Sequence, residues 1–344
     1  MGERGKYLFD EIDMKKSLGI ALFFYLLSRI GLGQDVHYTQ WWMSDGFVQP
    51  AGIHSPHDVL LQAGMKSQWN GVSGVPFQLQ NFHFTMPLSK WRRVSLQGSF
   101  LSDKSGDGSW VQNKWNVGAG YLFNQDSSKF RINTVFLLRG GNSRWNNSAW
   151  QFMDDWNGLY YQADLGQKEF FDRSSAWGWA FSSVAQWNIT SNLQAQLGFS
   201  HFSSMQYRLK DGTDSFVWAS QQMIGSQLNV NTSVVHPMKF YSLFHQQSGQ
   251  RAWLGFGEWG SVVDTRSWLM TTLWVGSGWR WNDALVLGTG CSWGGHLFRL
   301  TYDVNVSPFR VATEYRGGWE LQYRFQFLSP KLEKKMKAVC PTYY

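Results

Sequence analysis

Beyond the N-terminal region no stretch approaches twenty uninterrupted apolar residues, which excludes a bundle of membrane-spanning helices. Only two cysteines occur, Cys291 and Cys340. They would pair in an oxidising compartment only if the fold brought them together, and no structural bridge is expected. The 8 histidines are dispersed, without a His-Glu-x-x-His or paired-cysteine element, so neither a metal site nor any other cofactor is expected. Lysine and arginine are scattered too. The net charge of +7 forms no stripe for nucleic acid, and the one basic cluster, Lys331 to Lys337, reads as a solvated tail. Proline is sparse, at 8 residues.

What is abundant is aromatic: 21 Trp, 25 Phe and 13 Tyr. The chain is nevertheless polar on average, with a mean hydropathy of −0.34. A membrane barrel with aromatic girdles at both interfaces reconciles the two. A soluble β-sandwich or carbohydrate-binding module competes with it, and strand patterning weighs against that reading.

The segment from Trp319 to Phe327 alternates without a break between large apolar and polar side chains. In a strand, successive side chains point to opposite faces, so this one has an aromatic wall and a wet wall carrying Glu320 and Arg324. The pattern recurs at Phe82–Leu88, Trp115–Phe123, Leu193–Phe199 and Leu228–Val234. Strands are expected at 58–69, 77–87, 91–102, 110–124, 129–139, 176–188, 192–203, 227–235, 239–247, 250–259, 265–276, 284–291, 296–304 and 319–327. The fold class is thus all-β: a transmembrane antiparallel barrel of about fourteen strands, within a range of about twelve to sixteen, in an outer membrane. Connections after odd-numbered strands include the long stretches 140–175, 204–226 and 305–318, while those after even-numbered strands are short. The connection after the ninth strand is short and breaks the rule. Long loops face outward in such barrels, so both termini are expected in the periplasm.

Met14-Lys15-Lys16, the apolar run Ser17 to Leu27, and Gly31-Leu32-Gly33 together make a secretory signal, too short for a permanent span. The expected organisation is therefore an extension plus signal over 1–33, with Met14 as the start, and a periplasmic segment over 34–57. The barrel follows over 58–327 and a periplasmic tail over 328–344.

Three constellations are candidates for function. The loop from Gly140 to Ala176 carries Trp145, Trp150 and Trp156, which are expected partner contacts because Trp supplies much buried area per ordered side chain. Asp303, Asn305, Ser307, Arg316 and Glu320 form a polar concentration. It either shapes a partner-engaging loop or is structural, with Asp303 and Asn305 capping a turn and Glu320 paired to a basic lumen residue. Ser200-His201-Phe202-Ser203-Ser204 puts His201 and Ser203 on one strand face, where a neighbouring acid would complete a hydrolytic set. It resembles loosely the His-x-Ser of outer-membrane lipid deacylases. Those enzymes usually carry Asn where Ser204 stands, and no acid is assignable.

Both ends of the chain resemble the PorP/SprF family of Bacteroidetes outer-membrane proteins. The residues concerned are Gln34-Asp35 with His37-Tyr38-Thr39-Gln40; Pro50-Ala51-Gly52, with Gln49 in place of the family's Asn; and Gln68-Trp69 with Gly74-Val75-Pro76. At the other end they are Tyr302-Asp303-Val304-Asn305-Val306-Ser307, Gly317-Gly318-Trp319-Glu320-Leu321 and Cys340-Pro341. The resemblance implies a non-enzymatic role in type IX secretion and gliding motility. It implies as partners a secreted or surface-displayed protein with a C-terminal sorting domain, and periplasmic components linked to peptidoglycan. A passive diffusion porin and a lipid hydrolase are the alternatives.

Overall fold

In a computed structural model, the structure describes residues 38–52, 58–68, 76–88, 93–105, 110–124, 129–145, 174–208, 215–231, 235–264, 271–308 and 310–328. The expected extension and signal, 1–33, and everything after Leu328, including Cys340, lie outside the described residues. Among the described residues there are sixteen strands: β1 (Asp58–Gln68), β2 (Phe77–Pro87), β3 (Val94–Ser105), β4 (Trp110–Phe123), β5 (Phe130–Trp145), β6 (Ser174–Thr190), β7 (Leu193–Phe202), β8 (Met205–Arg208), β9 (Ser215–Trp218), β10 (Gln221–Asn231), β11 (Pro237–Gln247), β12 (Gln250–Asp264), β13 (Thr271–Arg280), β14 (Ala284–Trp293), β15 (His296–Asn305) and β16 (Arg316–Leu328). All but β8 and β9 form a closed antiparallel barrel of fourteen strands. Closure is made by β1, which pairs β2 on one side and runs from Asp58↔Leu328 to Gln68↔Gly318 against β16 on the other. We call the end where β1 begins and β16 ends the near rim, and the opposite end the far rim.

Period-two alternation decides which side chains meet which solvent. Outward-facing Val117, Phe136, Leu197 and Val275 are exposed near the middle of their strands. They form an apolar band that only lipid can cover. Aromatics flank it at both levels. Phe123, Trp187 and Phe240 lie toward the near rim, and Trp177, Trp253, Trp279 and Trp281 toward the far one. Phe130 and Trp187 meet at 5.2 Å between ring centroids, Trp279 and Trp281 at 6.1 Å. The polar faces are the buried ones: Lys66, Lys114, Arg139, Glu258, Arg280, Arg299, Asp303 and Glu320 all point inward and are nearly inaccessible. This is the two-walled strand expected of Trp319–Phe327, repeated around the cylinder.

Several boundaries differ from expectation. β5 and β6 run on to Trp145 and back from Ser174, so the loop expected from 140 begins later. β10 begins at Gln221 and β13 at Thr271, while β12 extends to Asp264 through a bulge between Val262 and Asp264. Within the expected loop 204–226, β8 and β9 pair as a small separate hairpin. The short turn after β11 is Ser248-Gly249, and that after β14 is Gly294-Gly295. Both residues of each have positive φ, the mirror-image turn that matches strand twist.

The main departure concerns the N-terminal segment. Residues 38–52, expected to lie outside the barrel in a periplasmic segment, are inside it and almost wholly buried. Two single-turn 3-10 elements, Trp41–Met43 and Asp45–Phe47, give the segment its compact path. Tyr38, Trp41, Trp42, Met43, Phe47, Val48 and Ala51 join inward-facing Leu79, Leu101, Val135, Leu137, Val184, Phe202, Tyr241 and Phe256 in one apolar core.

Candidate functional site

The segment descends the lumen as a plug. Its start is held near the far rim by residues two or fewer places from the ends of β1, β13 and β15. Its finish lies at mid-barrel on β6 and toward the near rim on β5, where Ser182 Oγ and Asn133 Nδ2 bond Ala51 at 3.2 and 3.1 Å. At the far end, the Glu320 carboxylate accepts two successive backbone N–H groups, Thr39 at 2.8 Å and Gln40 at 3.0 Å. Two parallel charge-assisted bonds of this kind fix orientation as well as position. Gln40 Nε2 returns a bond to the Glu320 carbonyl oxygen at 2.9 Å and another to Thr301 Oγ1 at 3.1 Å.

Around this clamp two carboxylates and two cations are arranged. Lys66 Nζ lies 3.5 Å from Asp303 and 3.7 Å from Glu320, and Arg280 Nη2 reaches Asp303 at 3.0 Å. Thr39 Oγ1 sits between them, donating to Asp303 at 2.9 Å and accepting from Arg280 Nη1 at 3.1 Å and Lys66 Nζ at 3.2 Å. Lys66 and Glu320 are direct register partners across the β1–β16 seam, so the strand pairing that closes the barrel also assembles the clamp. Lower down, Asp45 accepts from Gln62 Nε2 at 2.7 Å and Arg324 Nη2 at 3.4 Å, and Arg324 also donates to the Trp42 carbonyl.

The other side of the plug is aromatic. The Trp42 ring stacks on Tyr241 at 4.0 Å and 9°, with Phe256 at 4.9 Å and Trp41 edge-on at 6.1 Å. Tyr241 is fixed in turn by donating to Glu258 at 2.8 Å, whose carboxylate is gripped by Arg299 at 3.0 and 3.2 Å. Opposite Trp41 and Gln49 the wall carries glycines. A Cβ on Gly225 would lie 2.8 Å from the Trp41 ring and 2.9 Å from Gln49 Oε1, so the ring seats directly against backbone.

The sequence candidates divide. Asp303 and Glu320 come together as the clamp. Asn305 does something else: its Oδ1 accepts from the Ser307 N–H at 3.0 Å and hydroxyl at 2.7 Å, while Nδ2 donates to Thr313 at 3.1 Å. That ties down the turn after β15 and its short helix α1 (Arg310–Thr313). All three are buried against parts of their own chain, so an external partner reaches them only by displacing those parts. Trp145 ends β5 opposite Trp110, and Trp150 and Trp156 lie outside the described residues. His201 faces outward, its ring 5.1 Å from Trp179, whereas Ser203 Oγ accepts the Trp179 backbone N–H beyond the end of β7. Strand geometry ends before Ser203, so the alternation that put both on one face does not apply. At the far rim the β8–β9 hairpin docks through buried Met205 and Trp218, and Lys114 Nζ lies 3.7 Å over the Trp218 ring. Sequence reasoning missed Lys66, Arg280 and Tyr241. Their only signal is polar or charged character on the inward phase of a strand.

Residues 30–325 match the family described as the type IX secretion system membrane protein PorP/SprF. The chain belongs to that family. It is accordingly an outer-membrane barrel of the type IX secretion system. No match was found among curated proteins. Solved structures similar to it include the toluene transporter TbuX of Ralstonia pickettii, at 9% identity over 83% of this chain and 93% of that one, with a TM-score of 0.49. The Pseudomonas putida toluene transporter TodX is 8% identical over 87% and 95%, with a TM-score of 0.42, and the KdgM porin 8% identical over 78% and 99%, at 0.38. Among the residues that carry the family resemblance, Thr39 and Gln40 from one sequence end meet Asp303 and Glu320 from the other in the lumen.

Proposed function

We propose that this PorP/SprF protein is a plugged, non-enzymatic barrel that works by contact, supporting export or surface attachment of a secreted partner rather than passing solutes. One observation carries the reading: Tyr38–Gly52 lies buried along the lumen, clamped by Glu320 and stacked on Tyr241. A diffusion porin needs a continuous water path, and a bound segment held by buried charge pairs opposes one. Family membership favours as partner a protein carrying a C-terminal sorting domain, with peptidoglycan-linked components on the periplasmic side. The long connections at the far rim, 146–173 and 203–220, favour that rim as the cell exterior, with the start of β1 and the end of β16 on the periplasmic side.

Two measurements test this. In planar bilayers the purified protein is expected to show no steady open-channel conductance, and persistent solute flux without a partner would favour the porin. Cross-linked pull-down from native membranes is expected to recover a large exported protein with a β-rich C-terminal domain. Repeated recovery of the barrel alone would remove the export reading.

A further inference from the structure

One cross-strand row of inward positions runs from the plug to the β8–β9 hairpin. Ser99, Asn116, Arg139 and Gly178 are successive register partners across β3, β4, β5 and β6. The plug sits at one end of the row. Ser99 Oγ donates to the Gly46 carbonyl oxygen at 3.3 Å and Asn116 Nδ2 to the same oxygen at 2.8 Å. A Cβ on Gly46 would lie 2.5 Å from Ser99 Cβ, so the plug backbone is pressed against this wall. The foot of the hairpin sits at the other end. A Cβ on Gly178 would lie 2.7 Å from Ser203 Oγ and 2.9 Å from Met205 Cγ, so the foot likewise seats against bare backbone.

Arg139 joins the two ends. Its Nη1 donates to the Ser203 carbonyl oxygen at 3.3 Å, its Nε donates to Asn116 Oδ1 at 3.2 Å, and its guanidinium lies 4.7 Å over the Phe202 ring. A guanidinium carries donors only, so the Asn116 oxygen must face it and the amide nitrogen must face the plug. The bond to Gly46 therefore takes its direction from Arg139, and Arg139 is steadied by Ser203. If the foot leaves, a buried charge loses an acceptor and is drawn toward water, which releases Asn116. An Asn116 amide turned over would set its oxygen against the Gly46 carbonyl, acceptor to acceptor.

We propose that the β8–β9 hairpin is a latch on the plug. Docked, it holds Arg139 and, through it, the Asn116–Gly46 bond; drawn away at the far rim, it loosens the plug. Met205, without exposed surface, and Trp218, beneath the Lys114 ammonium, keep the latch shut. They form a cluster apart from the apolar core that packs the plug, so the row of polar side chains is what joins the two elements. Such coupling is reciprocal: losing the plug loosens the hairpin in turn. The latch concerns how the plug is released, and stands whether or not an exported protein is what lifts it.

Hydrogen exchange on the full-length barrel in detergent tests it, read in one sample on the backbone amides of Tyr38–Gly52 and of β8 and β9. Trp218→Ala is expected to speed exchange in the plug about fivefold or more, as well as in the hairpin. In an Arg139→Met background the same substitution should still speed hairpin exchange but change plug exchange by less than about twofold. Arg139→Lys keeps the charge without the two-ended fork and should uncouple the elements likewise. Glu320→Ala, which frees the plug, should speed hairpin exchange by a comparable factor. Heat-modifiable gel mobility verifies each barrel. Should the Trp218 variant not fold, Gly178→Ala lifts the same foot by driving a methyl group into Ser203 and Met205. Plug exchange indifferent to a loosened hairpin, an equal effect of Trp218→Ala with and without Arg139, or full coupling in Arg139→Lys would overturn the latch.

Discussion

The plug is held by two halves of the same lumen that work by different physics. Toward β13, β15, β16 and β1 it is gripped by carboxylates, cations and backbone N–H groups, each partner specified to the atom. Toward β5–β7 and β10–β12 it is packed, with Trp41, Trp42, Phe47 and Val48 against rings and aliphatic side chains. Polar bonds of the first kind fix register but are severe when half broken, because the surviving partner stays buried without an answer. Packing of the second kind supplies adhesion that degrades in proportion to what is removed. The plug therefore has one half that sets where it sits and another that sets how strongly it stays.

The largest effect should come from breaking the first half. Glu320→Ala leaves two plug N–H groups and the Lys66 ammonium short of an acceptor, at a cost of about 3–5 kcal/mol. The expected result is plug release, read as protease cleavage within Tyr38–Gly52 and a lowered temperature for loss of the compact gel band. Retained protection would mean that the aromatic half suffices alone. Trp42→Ala attacks that half and removes stacking on Tyr241 and Phe256, for about 3 kcal/mol. Trp42→Phe should recover most of it, whereas Glu320→Gln, retaining one acceptor oxygen, should recover only part. Equal rescue by both would dissolve the distinction between the halves.

The outer wall was legible in the sequence because lipid imposes a strict period of two. Leu193–Phe199 and Trp319–Phe327 stand as strands where the alternation put them. Alternation fails where the wall leaves the bilayer. Gln221-Gln222 at the start of β10 and Asn142 to Arg144 at the end of β5 are strand without apolar alternation, placed by their backbone pairing with the neighbouring strands. The plug was illegible for another reason. Trp41-Trp42-Met43 and Phe47-Val48 follow neither a helical nor a strand period, since a segment enclosed on all sides has no wet face to create one. A clue was present all the same: three consecutive large apolar residues are costly to leave in periplasmic water. Glu320 was found as a candidate by its phase in the strand, but its ligands lie some 280 positions away in sequence, as Thr39 and Gln40.

The wall glycines sharpen the comparison at smaller magnitude. Gly225→Ala drives a methyl group into the Trp41 ring, which is buried edge-on against the stacked Trp42–Tyr241 pair and has little room to move. A cost of about 1–3 kcal/mol is expected. Gly198→Ala meets the end of the Gln49 side chain, which can swing aside, and Val184 Cγ2 at 2.8 Å. Its cost should be smaller, about 1 kcal/mol. The ordering is the prediction, read from the same thermal gel shift. Equal costs would mean that the Trp41 ring moves as freely as a glutamine amide, and that the apolar half is loosely packed.

The smallest expected effect isolates burial from distance. Arg316 and Glu314 approach to 3.1 Å at the far rim, closer than Lys66 and Glu320 at 3.7 Å. Distance alone would rank the rim pair first. Both of its side chains are largely in water, however, where attraction is screened and ordering two long side chains offsets most of the gain. Arg316→Ala should therefore shift stability by no more than about 0.5 kcal/mol and leave plug protection unchanged. Lys66→Ala, removing the longer contact, should expose the plug. It strips a cation shared by Asp303, Glu320 and Thr39 from a site almost closed to solvent. If Arg316→Ala released the plug as readily, the β15–β16 connection would be holding the segment, and the lumen clamp would be its bystander.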